Sequence, residues 1–176
     1  MMKAEIELIL GGARSGKSHY AEQRAIEAHG TGSEILYLAT ATGGDEEMAH
    51  RIAHHQSRRP ATWRTIEEPL QLADRLRELA RPDRLILVDC LTLWLTNLLL
   101  GPGLEPERGK LLQALPTLPG KLLLVSNEVG WSIVPENALA RVFRDEQGRL
   151  NQEIATRAQR VTLIAAGLPL QLKPKQ

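Results

Sequence analysis

An α/β fold, one domain with a mainly parallel central sheet flanked by helices, is what this sequence predicts, and three observations predict it. Short apolar runs alternate with longer amphipathic stretches, the rhythm of strands that feed crossover helices. The first apolar run leads straight into a glycine-rich turn and then into a helical pattern. The chain has 176 residues, the size of one compact domain, and 43% of them are hydrophobic, enough to supply its core.

The expected strands are 6–10, 35–39, 85–89, 122–126 and 161–165, runs too short for buried helices and rich in leucine or β-branched residues. Between them, amphipathic periodicity predicts helices over 18–28, 45–57, 69–80, 91–99 and 135–159. Gly148 falls inside the last of these and is expected to break or bend it, since glycine costs about 1 kcal/mol in a helix interior. Turns are expected at Gly101-Pro102-Gly103 and across 116–120, where proline and glycine interrupt regular structure.

Charge and cysteine content narrow the function classes. With 22 basic and 21 acidic residues the formal charge is +1, which gives no general attraction for polyanions, so nucleic acid is not an expected partner. Cys90 is the single cysteine, which excludes an internal disulfide and a cysteine-based zinc site; a small buried residue is the expected role rather than a reactive thiol. Glu5 and Glu7 interrupt the first apolar run, unlike a signal peptide, and no run reaches the ~18 to 20 residues of a membrane span. The expectation is a cytoplasmic protein with no integral membrane segment.

Residues 11–18 read GGARSGKS, a complete match to G-x-x-x-x-G-K-S/T placed between a strand and a helix, as the motif requires. This specifies the α/β expectation as a single P-loop (RecA-like) domain over residues 1–176. In such a loop the main chain of Gly11, Gly12, Ala13, Arg14, Ser15 and Gly16 curls so that its N–H groups surround an anion. Lys17 then reaches the β and γ phosphates of ATP or GTP, and Ser18 ligates Mg²⁺. A metal-bound triphosphate also needs a carboxylate at the tip of a neighbouring buried strand, and Asp89 ends the run LILVD. Asp89 has a second reading as the cap of the helix that begins near Leu91. A switch GTPase is disfavoured, because SNEVG at 126–130 stands where that class carries Asn-Lys-x-Asp. A small-molecule kinase and a non-catalytic nucleotide-binding switch stay open.

The stretch RIAHHQSRRP at 51–60 sets two histidines beside two arginines. On a helix, Arg51, His55 and Arg59 form one stripe and His50, His54 and Arg58 the next, while Pro60 discourages helical geometry at Arg59. Two readings follow from the residues alone: a solvated basic helix end, or an imidazole nucleophile with a guanidinium clamp for phosphates.

Beyond these motifs, nearly the whole chain resembles one family. The resemblance rests on GGARSGKS, YLAT at 37–40, DEEM at 45–48 leading into RIAHHQSRRP, and WRTIE at 63–67. It continues through LTLWLTN at 91–97, SNEVGWSIVPEN at 126–137 and FRDEQGRLN at 143–151. Together, in this order and spacing, these resemble the bifunctional adenosylcobinamide kinase and adenosylcobinamide-phosphate guanylyltransferase of vitamin B12 biosynthesis.

The resemblance implies two reactions: phosphorylation of the aminopropanol hydroxyl of adenosylcobinamide by ATP or GTP, then attachment of GMP from GTP to adenosylcobinamide phosphate through a covalent guanylyl-histidine. The pattern His-x-x-x-Arg-Pro makes His55 the nucleophile, with His54 the alternative. It assigns nucleotide contacts to Gln56, Ser57, Arg58 and Arg59, to Thr40, Ala41 and Thr42, and to the acidic pair Glu67 and Asp89. Relatives often carry glutamate where this chain has Asp89, so a contact made through the longer side chain is in question. A homotrimer is also implied. Trp63, Trp94 and Trp131 are expected in core or interface packing, His19 and His29 at the surface, and no role is assigned to Arg149 or Asn151.

Overall fold

Why the short apolar runs become strands is plain from what they pack against. In the computed structural model, which describes residues 4–41 and 60–174, they line up side by side in one sheet with helices against its faces. The strands are β1 (Glu5–Gly11), β2 (Glu34–Ala39), β3 (Arg64–Glu67), β4 (Arg84–Asp89), β5 (Lys121–Asn127), β6 (Arg160–Ala165) and β7 (Leu168–Lys173). Their order across the sheet is β3-β2-β4-β5-β1-β6-β7, parallel throughout except for the β6–β7 hairpin. The helices are α1 (Lys17–Gly30), α2 (Leu72–Leu79), α3 (Leu91–Leu100), α4 (Glu107–Ala114) and α5 (Ala138–Arg157).

Period-two alternation divides the strand side chains between two cores. Ile6, Leu8, Leu36, Leu38, Ile86, Val88, Leu122 and Leu124 face α2, α3, α4 and α5, and Trp94 fills the middle with no exposed surface. Ile9, Ile35, Tyr37, Leu87, Leu123, Val125 and Ile164 point the other way, where α1 lays Ala21, Ala25 and Ala28 on the sheet. Alanines at these spacings lie on one stripe and let the helix approach closely, which seats the start of α1 directly beside the tip of β1.

Among the described strands, one position buries a charged side chain. Glu7, 3% exposed, points into the α1 side of the sheet. Its carboxylate accepts from Thr162 Oγ1 at 2.8 Å, Tyr20 Oη at 3.1 Å and Arg24 Nε at 3.2 Å. A buried charge is tolerable only when it is paired and hydrogen-bonded in this way. The cluster consequently ties β1, β6 and α1 together.

All five expected strands are present, each longer than the run that signalled it by no more than two residues. Two further strands, β3 and β7, went unsignalled. Gly148 does not break the last helix: α5 runs unbroken from Ala138 to Arg157, the neighbouring Gln147, Leu150, Asn151 and Ile154 being buried against the sheet and holding the helix through the glycine. The helix expected over 69–80 begins only at Leu72, because the Glu68 carboxylate takes the N–H groups of Leu70 and Gln71 at 3.0 and 2.8 Å and holds them as a turn. The helix expected over 45–57 lies outside the described residues.

Candidate functional site

The glycine-rich turn occupies the tip of β1, a central strand, and two of its glycines are required by contact. A Cβ on Gly11 would overlap Ser15 Oγ and lie 2.7 Å from the Ile164 carbonyl. Gly16, at φ +98°, takes the left-handed conformation that reverses the chain into α1, and a Cβ there would lie 3.2 Å from Gly167 Cα. The turn of the β6–β7 hairpin therefore serves as a wall of the loop, and Gly167 N–H also donates to the Ser15 carbonyl at 2.8 Å. Such a curl before a helix N-terminus is an anion cradle.

Within the cradle, Lys17 is the first residue of α1, 9% exposed, and its Nζ donates to the Gly12 carbonyl at 2.8 Å. Burial lowers its pKa below that of an ordinary lysine, against the opposing pull of Cys90 and Asp89. An incoming polyanion relieves that desolvation, so the buried ammonium is poised for phosphate. Ser15 Oγ is buried with no partner among the described residues, Ser18 is half-buried, and Gly12, Ala13 and Arg14 form an exposed rim.

Across the tips of β5 and β4 stands the acidic side. Asp89 ends β4, and its Oδ2 accepts from Tyr37 Oη at 2.6 Å. The helix-cap reading of Asp89 does not hold: the residue preceding α3 is Cys90, and no side chain caps that helix. Thr40 is fully buried, and its hydroxyl is committed to Cys90, donating to the carbonyl at 2.6 Å and accepting from the N–H at 3.0 Å. It braces the end of β2 against the end of β4 through side-chain atoms that are already occupied. Ala41 is half-buried beside it, and Glu67, register partner of Ala39 on the far side from Asp89, is exposed at the tip of β3. Cys90 is buried, and burial first, then the Asp89 charge, push its thiol up to about 11, which suits a packing residue and not a nucleophile.

Thus Gly11, Gly12, Ala13, Arg14, Ser15, Gly16, Lys17, Ser18, Thr40, Ala41, Glu67 and Asp89 all collect at the carboxyl edge of the sheet, where open α/β sheets bind ligands. Thr42, His54, His55, Gln56, Ser57, Arg58 and Arg59 lie outside the described residues. Trp94 and Trp63 are buried, at 0% and 7% exposure, whereas Trp131 at 79% packs into neither core. His19 and His29 are exposed.

Sequence reasoning missed a second group at the same edge. Ser126 Oγ donates to Asn151 Oδ1 at 2.6 Å, Gln147 Nε2 donates to Ser126 Oγ at 2.9 Å and to Asn151 Oδ1 at 3.0 Å, and Asn151 Nδ2 donates to the Asn127 carbonyl at 3.1 Å. Asn97, also without a sequence signal of its own, donates to the carbonyls of Thr40 and Pro69 at 2.8 and 3.1 Å. Amides at helical positions normally read as solvent-facing; the available clue was that Asn97, Ser126, Asn127, Gln147 and Asn151 all lie inside motifs of the family resemblance.

A Mg²⁺ ion fits this donor set. Among the described residues no three His, Cys, Asp or Glu side chains cluster to hold a metal alone. Magnesium commonly uses one or two protein oxygens and completes its shell with phosphate and water, and the Ser18 hydroxyl with the Asp89 oxygen not engaged by Tyr37 provides such a pair.

A strand, a curled glycine-rich loop opening a helix, a buried lysine and a carboxylate at the tip of another parallel strand together define a P-loop nucleotide-binding protein. Likeness to solved structures agrees at the level of fold. The flagellar accessory protein FlaH of Methanocaldococcus jannaschii matches with TM-score 0.52 at 13% identity, over 98% of this chain and 80% of that one. A DnaB-like replicative helicase matches with TM-score 0.52 at 12% identity, over 90% and 46%. The chain belongs to the cobinamide kinase / cobinamide phosphate guanyltransferase family, whose model matches residues 7–172. The bifunctional adenosylcobalamin biosynthesis protein CobP of Pseudomonas aeruginosa is 56% identical, covering 95% of this chain and 96% of its own. The bifunctional adenosylcobalamin biosynthesis protein CobU of Salmonella typhimurium is 42% identical, covering 94% and 98%.

Proposed function

We propose that this chain, a single domain over residues 1–176, phosphorylates adenosylcobinamide with ATP or GTP and then transfers GMP from GTP to adenosylcobinamide phosphate, giving adenosylcobinamide-GDP. The observation that carries the reading is the cradle of residues 11–18, with the buried Lys17 ammonium close enough to Asp89 for their charges to interact. Main-chain N–H groups and Lys17 hold the phosphates, and Ser18 and Asp89 hold Mg²⁺. When bound, the ion supplies neutralising charge to the phosphates.

In the kinase step the substrate hydroxyl oxygen bonds to the γ-phosphorus, the bond to the β–γ bridging oxygen breaks, and the hydroxyl proton passes to solvent. Lys17 stabilises the charge that collects on the departing diphosphate. In the guanylyl step a neutral imidazole nitrogen of His55 attacks the α-phosphorus and pyrophosphate leaves. Gln56, Ser57, Arg58 and Arg59 contact the nucleotide beside Ala41, Thr42 and Glu67, while the fully buried Thr40 braces the strand ends beneath them and makes no contact of its own. A phosphate oxygen of adenosylcobinamide phosphate then takes the guanylyl group and the phosphorus–nitrogen bond breaks. Exposed Leu168, Leu170 and Leu172 on the edge strand β7 support a homo-oligomer, a trimer in this reading. No described helix is long and apolar enough to cross a membrane, in keeping with work in the cytoplasm.

The test is incubation with GTP labelled at the α-phosphorus. Label should enter the protein through a bond labile in acid and stable in base, and His55→Ala should abolish it while His54→Ala keeps it. Label lost only in His54→Ala moves the nucleophile by one residue. No label in the parent protein removes the guanylyl half and leaves a kinase.

A further inference from the structure

We propose that Asn127 contacts the terminal phosphate of the bound nucleotide through its side-chain amide, and that Asn151, oriented by Gln147 and Ser126, is the positioning residue that fixes it there. The proposal rests on the reading of residues 11–18 as the nucleotide cradle.

Placement is the first support. Asn127 is the last residue of β5, the strand between β1 and β4. Register sets it opposite Gly11 on one side, while Asp89 pairs with Val125 on the other. It therefore stands between the cradle and the acidic residue, two positions farther out than the level of Asp89. Alternation along β5 sends Ser126 to the α5 face with Leu122 and Leu124, and sends Asn127 to the α1 face with Leu123 and Val125. The α1 face is the one on which Lys17 opens its helix.

The second support is what holds this residue. Its N–H donates to Thr92 Oγ1 at 2.8 Å, its carbonyl accepts from Asn151 Nδ2 at 3.1 Å, and the next N–H, that of Glu128, donates to the Gly11 carbonyl at 3.0 Å. Three elements, α3, α5 and β1, thus fix this short piece of main chain. The half-buried side-chain amide, by contrast, has no hydrogen-bond partner among the described residues. Behind it, Ser126 and Gln147 are 0% exposed and Asn151 is 6% exposed. Their hydroxyl and amide donors both point at Asn151 Oδ1, which turns Asn151 Nδ2 toward the Asn127 carbonyl. Gln147 Oε1 is left buried without a partner among the described residues, so this group is not arranged for stability alone, since apolar side chains would fill the same space with every group satisfied. A fixed backbone carrying an unengaged donor beside a phosphate cradle is the arrangement that stabilises charge without rearranging during the reaction.

The experiment compares the parent with Asn127→Ala, Asn127→Ser, Asn151→Ala and the double variant Asn127→Ala/Asn151→Ala, using GTP as ligand and phosphoryl donor. For Asn127→Ala, turnover of the kinase step should fall about a hundredfold, the loss typical of one preorganised donor, with KM for GTP changed less than about threefold. The phosphorus NMR line of the bound γ-phosphate should shift while that of the α-phosphate stays. Asn151→Ala should lose about tenfold, and the double variant should be no slower than Asn127→Ala, because Asn151 acts only through Asn127. Parent-like turnover and an unmoved γ-phosphate line in Asn127→Ala would overturn the contact, and additive losses would overturn the positioning role. Asn127→Ser, smaller but still a donor, gives the same two readouts should the alanine variant not fold. If the parent itself does not bind GTP, the cradle reading fails instead.

Discussion

Two buried polar clusters flank β1, and they are made of different materials. The Glu7 cluster is ionic and lies four residues before the strand's tip, with the carboxylate bonded to groups from β6 and α1. The Asn151 cluster is neutral, lies at the tips of the strands, and keeps one amide oxygen without a partner among the described residues. The first closes on itself; the second ends in a main chain that presents an unengaged side chain to the cradle. Charge serves where three elements must be joined, because breaking a buried pair is costly. Neutral amides serve beside a polyanion, because they direct a donor without adding a fixed charge. Substitutions at the tips should therefore change turnover, and substitutions at Glu7 should change stability.

The largest expected effect is at Lys17. Lys17→Ala should lower both transfers by at least about a thousandfold, since both need the same triphosphate held and its leaving group neutralised. The folded state should survive, as urea unfolding would show; near-normal activity in either transfer would break the single-site view. Next comes Glu7→Gln, which leaves Arg24 with Glu27 as its remaining carboxylate. Arg24 is 30% exposed, so the full penalty for a stranded buried charge is reduced, and a loss of about 2 kcal/mol is expected in urea unfolding with kcat nearly unchanged. A variant of parental stability and reduced kcat would erase the distinction between the clusters. Asp89→Asn should raise the Mg²⁺ concentration for half-maximal activity by about tenfold, measured by metal titration, while nucleotide affinity without metal changes less. Coincident titration curves would remove Asp89 from the metal site.

The smallest effect is expected behind Asp89. The Cys90 thiol titrates near 11 in the folded protein against an ordinary 9.0, so the unfolded chain loses this proton first as pH rises. The thiol's contribution to stability is complete below pH 9 and is lost as pH climbs through about 11. Unfolding free energies of the parent should drop more steeply across that window than those of Cys90→Ala. Equal slopes would show that Cys90 is not sealed from water.

How much of this was legible in the sequence follows from what each residue needs for its role. β1, β2, β4, β5 and β6 are covered on both faces and so had to be apolar runs. β3 has the edge position, four residues with mostly exposed side chains, and hides no apolar run to find. β7 carries Pro169 on an exposed edge, where the missing N–H does no harm but the strand pattern is spoiled. The cradle was legible because its geometry demands glycines at fixed positions. Gln147 and Asn151 were not, because an amide buried against another amide carries the same letter as one in water, and neither was Asn127, because its letter does not tell a main chain pinned by three elements from an ordinary strand end. Trp94 and Trp131 show the same limit: identical residues, 0% and 79% exposed, separated only by what the chain folds against them.

The place of β1 in the sheet also sets the order of assembly during synthesis. Among the described strands it is made first, yet its two neighbours are β5 and β6, and its contacts with Thr162 and Gln159 span 155 and 153 residues. The Gly167 N–H that braces Ser15 arrives later still. A nascent chain must therefore carry an unpaired β1 and an unbraced glycine loop until β5, β6 and the turn after β6 have been made, and such long-range pairing is slow to form and open to wrong partners. Nucleotide has no finished cradle to enter until the β6–β7 hairpin has emerged, so it stabilises only chains that already carry that hairpin.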